Sequence, residues 1–151
     1  MGPDMYSDHR SKRIVFVSHC ILNQNAMIDG LAGYAGVVRE VVEAIVASGC
    51  GIVQMECAEI TLLGMDRRVD RHAARTIGSE DSRVRLLMEK RSGRAVCRRI
   101  AEQVCFQINQ YLQNGFNVAG VIGVNVSPTC GVETSWLKGA EVNSPGVLIR
   151  E

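Results

Sequence analysis

Three short, unbroken apolar runs constrain this chain more than any other feature: Arg13-Ile-Val-Phe-Val17, Gly51-Ile-Val-Gln-Met55, and residues 118–126. None alternates with polar residues, so each reads as a strand buried on both faces, as in parallel sheets. Helical patterns separate them. Val37, Val38, Val41, Val42, Ile45 and Val46 share a stripe opposed by Arg39, Glu40 and Glu43, and Ser48-Gly49 closes it. A longer helix starts at an N-cap Ser92 and ends before Gly115, with Cys97, Ala101, Val104, Cys105, Ile108, Tyr111 and Leu112 facing inward. Strand, helix, strand, helix, strand predicts an α/β fold: a three-layer Rossmann-like domain with a mostly parallel sheet and helices on both faces. Residues 146–149 read as a fourth strand, and residues 62–88, polar and arginine-rich, as one or two short helices. With no repeat and no linker, residues 12–151 form a single domain behind a flexible N-terminal arm, 1–11.

At 151 residues the chain is long enough to bury roughly 70% of the surface its unfolded form exposes. Hydrophobic residues at 46% and charged residues at 22% exclude disorder. No apolar run approaches the ~18 residues of a membrane span, and the first residues lack a signal peptide's apolar stretch, so a soluble, cytoplasmic protein is expected. The net charge of +1 points to no polyanionic partner. Residues 67–99 do carry ten Arg and one Lys against Asp70, Glu80, Asp81 and Glu89. Such a stretch reads first as a solvated helical face, and second as a phosphate or carboxylate contact.

Six cysteines are many for a chain without an export signal, which favours metal binding or catalysis over disulfides. Cys20, Cys57 and Cys130 each follow a predicted strand by a few residues. The carboxyl ends of parallel strands share one edge, where ligands bind, so three sequence-distant thiols converge there. Cys97 and Cys105 read as small hydrophobes on the long helix, and Cys50 as part of a Gly-Cys-Gly turn. Three thiolates suit two centres: a zinc ion completed by water or His19, or a cubane cluster with one open iron.

At these residues the chain resembles the thiouracil desulfidase family. Ser18-x-Cys20-Ile21-Leu22 is similar to its first segment, Ser-x-Cys-Leu-Leu-Gly, and Asp29-Gly30 to the Tyr-Asp-Gly that ends it. Cys57-Ala58-Glu59 resembles Cys-Pro-Glu, and Ser127-Pro128-Thr129-Cys130-Gly131 resembles Ser-Pro-Ser-Cys-Gly. Arg68 falls where the family has the Arg of a Pro-Arg pair. The likeness runs from residue 14 to about 149. It implies a [4Fe-4S] cluster held by Cys20, Cys57 and Cys130, and non-redox removal of sulfur from a thiocarbonyl, with a small thiolated nucleobase or similar thioamide as substrate. Asn23 stands in place of Gly, Ala58 of Pro, Val126 of Lys and Met27 of Arg. These departures touch the substrate pocket more than the ligands, so the resemblance implies a related subgroup with a different substrate.

On this reading Glu59 is the first choice for proton transfer to and from the attacking water, with Glu56 behind it. Ser127 bonds the substrate heteroatom or orients the water. His19, Asn23 and Arg68, with Arg67 beside it, contact substrate, and the amides of residues 129–131 donate to cluster sulfides. The competing expectation is a non-catalytic zinc- or cluster-binding module, RNA-associated through residues 67–99. No membrane partner is expected.

Overall fold

The computed structural model describes residues 8–73 and 75–151. Of the expected arm, residues 1–7 lie outside the described residues; residues 8–11 are exposed and irregular.

Strand β1, Arg13–Val17, lies at the centre of a three-stranded parallel sheet between β2, Gly51–Gln54, and β3, Asn117–Ile122. Val17 pairs with Gln54 on one side and Ile122 on the other, so the three carboxyl ends finish level. Alternation along β1 serves both faces. Val15 and Val17 pack with Ile45 of helix α2, Arg39–Ala47. Ile14 and Phe16 pack with Val104, Ile108 and Tyr111 of the long helix α5, Arg91–Gln113. A helix on each face gives the expected three layers, and the parallel α/β architecture is the one anticipated.

Several local expectations are corrected. β3 stops at Ile122 rather than running on to Val126: the Val124 amide donates to the Cys130 carbonyl, Gly123 passes close against that carbonyl, and Val126 adopts a left-handed φ of 72°. Helix α5 starts at Arg91, with Lys90 rather than Ser92 as its N-cap. Lys90 is the single extended residue joining it to helix α4, Ile77–Glu89. Cys105 and Leu112 are exposed, lying about 100° round the helix from Val104 and Tyr111. Residues 146–149 form no strand. They enter the short helix α6, Val147–Arg150, whose Val147 and Leu148 join a core with Val84, Met88, Cys97 and Ile100.

The other elements include helix α4, which falls largely within residues 62–88 where one or two short helices were expected, and several that the pattern did not mark. Helix α1, His19–Leu22, follows β1 and runs into a single 3-10 turn, Gln24–Ala26; helix α3, Ala58–Leu63, follows β2. Helix α4 opens with Thr76 and Ser79 in a reciprocal capping box. Strands β4, Ser135–Leu137, and β5, Ala140–Val142, form a hairpin. Both its turn residues, Lys138 and Gly139, take positive φ, as a type I′ turn requires.

Candidate functional site

The level carboxyl ends of the sheet bring Cys20 of α1, Cys57 at the N-cap of α3, and Cys130 of the turn after β3 to one cavity of about 160 Å³. That is several times the roughly 30 Å³ a liquid water occupies. Met27, Ile28 and Leu31 supply an apolar wall.

The thiols feel their burial and one another. Burial pushes Cys20 up to about 11, with the charges of Cys57 and Glu59 adding to it. Cys57 is raised by burial and Glu59, and Cys130 well above its ordinary value by burial, Glu59 and the other two thiols. Opposing this, Arg67 favours the thiolate at Cys20 and Cys57, and its Nη2 lies 4.0 Å from the Cys57 Sγ. The Ser18 hydroxyl is buried with no well-formed hydrogen bond; it faces the Cys130 thiol, which it favours in the anionic form. Burial and their mutual repulsion as thiolates keep the three sulfurs protonated; a positively charged group that binds thiolates would offset that repulsion and displace the protons.

Around the thiols lies a buried polar frame. Arg67, 3% exposed, donates through Nε to Glu59 Oε2 at 3.1 Å, and through its other nitrogens to the carbonyls of Ala26 and Met65. Thr129 Oγ1 donates to Glu59 Oε1 at 2.7 Å. Both Glu59 oxygens are therefore committed, which suits holding Arg67 and the Cys130 turn in place better than exchanging protons with water. The fallback, Glu56, is exposed and pulled below its ordinary range by Arg99 and Thr61.

The turn carrying Cys130 is fixed from both sides. Ser127 Oγ accepts the amides of Thr129 and Cys130, at 3.2 and 3.0 Å, and the Gly131 amide goes to the Ser127 carbonyl. Those amides are thus spent within the turn rather than available to sulfides. Ser127 lines the cavity and keeps its own proton free to donate. From beneath, the amides of Gly146, Val147 and Leu148 donate to the carbonyls of Gly131, Pro128 and Thr129. Arg85, also buried, donates to the Pro128 carbonyl.

Three residues expected at the substrate lie elsewhere. His19 lines a neighbouring cleft of about 320 Å³ with Gln54, Glu56 and the far side of Cys57. Asn23 caps the 3-10 turn, its Oδ1 accepting from the Asn25 amide. Arg68 is exposed and bonds the Leu62 carbonyl, so of the arginine pair it is Arg67 that reaches the cavity. The residue the sequence reading passed over is Asp81, which lines the cavity from α4. Its spacing to the buried Val84 and Met88 (i, i+3, i+7) was the available signal. Among the described residues no three His, Cys, Asp or Glu side chains are spaced to surround a single metal ion.

A protein of Methanocaldococcus jannaschii named as the uncharacterized protein MJ0003 is 29% identical over 123 residues, covering 82% of this chain and 70% of the relative. No described protein family matches the chain. No solved structure matches it.

Proposed function

We propose that this chain is a desulfidase that binds a [4Fe-4S] cluster through Cys20, Cys57 and Cys130 and removes sulfur from a small thioamide such as a thiolated nucleobase. The observation carrying the reading is the convergence of three strand-end thiols on one cavity in which both oxygens of Glu59 are already committed. Three all-sulfur ligands suit an iron–sulfur group with one open position. With His19 outside the cavity lining, a zinc ion there would be completed by water or by Asp81, so the metal content of the purified protein separates the two centres.

When bound, the cluster supplies an open iron, a Lewis acid with affinity for soft sulfur. The chain supplies the rest. Arg67 and Ser18 favour the thiolates of Cys57 and Cys130. Met27, Ile28 and Leu31 keep the cavity poor in water. The free Ser127 proton meets the substrate heteroatom, and Glu59 ties Arg67 to the Cys130 turn through Thr129.

The test is anaerobic purification with iron and acid-labile sulfide analysis, followed by incubation with 2-thiouracil and related thioamides. About four irons with matching sulfide are expected, lost in Cys130→Ala. Stoichiometric zinc, or no metal, overturns the reading. A cluster that leaves every thioamide unchanged leaves a carrier or sensor instead.

A further inference from the structure

We infer that Asp81 is the residue that takes the proton from the water attacking the thiocarbonyl carbon; the inference rests on the desulfidase reading. Asp81 is 8% exposed and lines the thiol cavity. Among the described residues no donor hydrogen-bonds its carboxyl and no cation pairs with it, so its oxygens are free. Every other buried acid nearby is engaged: Glu59 by Arg67 and Thr129, and Glu80 by Arg83 and Arg75. Unlike the Ser18 hydroxyl, the Asp81 oxygens are not sealed off, so the carboxylate opens onto the cavity space rather than into the packed core.

The groups around it explain its proton affinity. Burial pushes Asp81 up to about 6, and the negative charges of Glu59, on α3, and Glu80, on its own helix, push the same way. Arg67 faces the cavity too, but it is turned to Glu59. The thiols of Cys20, Cys57 and Cys130 complete the ionisable lining. A base with this affinity is mostly ionised at neutral pH yet still accepts a proton readily.

In the step assigned to it, water oxygen bonds to the thiocarbonyl carbon while one water proton passes to Asp81. The carbon–sulfur bond then breaks as the carbonyl forms. The hydroxyl proton leaves with the sulfur as hydrosulfide, and Asp81 returns its proton to give hydrogen sulfide. Overall a thioamide and water become an amide and hydrogen sulfide, with no change of oxidation state.

The test compares wild type, Asp81→Asn and Asp81→Glu. In the metal-free protein, carboxyl carbon NMR is expected to show one group titrating near 6 that is missing from Asp81→Asn. Because the folded value lies above the ordinary 3.8, the contribution of Asp81 to stability is fully present below 3.8 and is lost as pH rises through about 6, so the stability difference between wild type and Asp81→Asn should change across that range. No carboxyl titrating above the ordinary Asp range overturns the inference. In cluster-loaded protein, Asp81→Asn should retain its iron and lose roughly 10²–10⁴-fold in kcat with little change in KM. It should also lose the rise of rate with pH through about 6, and Asp81→Glu should restore part of it. A loaded Asp81→Asn with full rate and an unchanged pH profile overturns the inference alone; wild type that binds no cluster overturns the underlying reading.

Discussion

Arg67 shows how one side chain can tie a site together. Its guanidinium reaches α3 through Glu59, the 3-10 turn through Ala26, and the sulfur of Cys57. Arg67→Ala leaves the Glu59 carboxylate buried without its cation, and breaking a buried pair in this way costs about 3–5 kcal/mol. Denaturant unfolding should show that loss, with Arg67→Met combined with Glu59→Gln recovering much of it. A loss under about 1 kcal/mol would place the pair among solvent-screened surface bridges. At this scale the three thiols were legible because each follows a strand, and topology delivers strand ends to one edge. The buried charges were not. Arg67 and Arg85 look like surface residues in a polar stretch, and tertiary packing turns them inward, while Asp81 is marked only by its helical spacing to Val84 and Met88.

Helix α6 is the element whose role was hardest to read. Four apolar-rich residues after a Gly fit a strand or a helix equally well, and the choice is made by contact with the Cys130 turn. The amides at the start of α6 need acceptors, and the carbonyls of residues 128–131 need donors. Gly146 permits the approach, since a side chain there would strike the Thr129 carbonyl. Gly146→Ala is therefore expected to lose about 1–3 kcal/mol by overpacking, and to lose iron with it. Gly33→Ala, at an open position, should change neither. Equal behaviour of the two variants would mean that α6 does not brace the turn. By contrast, β1 needed no tertiary information, because an unbroken apolar run packed on both faces has few other uses.

Across the whole molecule, the arginine-rich stretch proves less available than its composition suggested. Arg67 and Arg85 are buried, and Arg83, Arg94, Arg98 and Arg99 are ion-paired with Glu80, Glu151 and Glu56. With a net charge of +1, fluorescence anisotropy with single-stranded RNA should show binding weaker than the ~10⁻⁴–10⁻⁶ M of non-specific nucleic-acid binders at physiological salt. Tight binding with a steep salt slope would instead assign the exposed Arg68, Arg71 and Arg91 to an anion path. Among the described residues no helix is long and apolar enough to cross a membrane.

The cavity draws its thiols from positions 20, 57 and 130, and its brace from 146 onward. A ribosome adding roughly 5–20 residues per second makes the first two thiols several seconds before the third. During that interval the nascent chain carries a pair of reactive sulfurs with neither their third partner nor the walls that later shield them. Any group that needs all three sulfurs can enter only once the third has been made and the turn around it has folded.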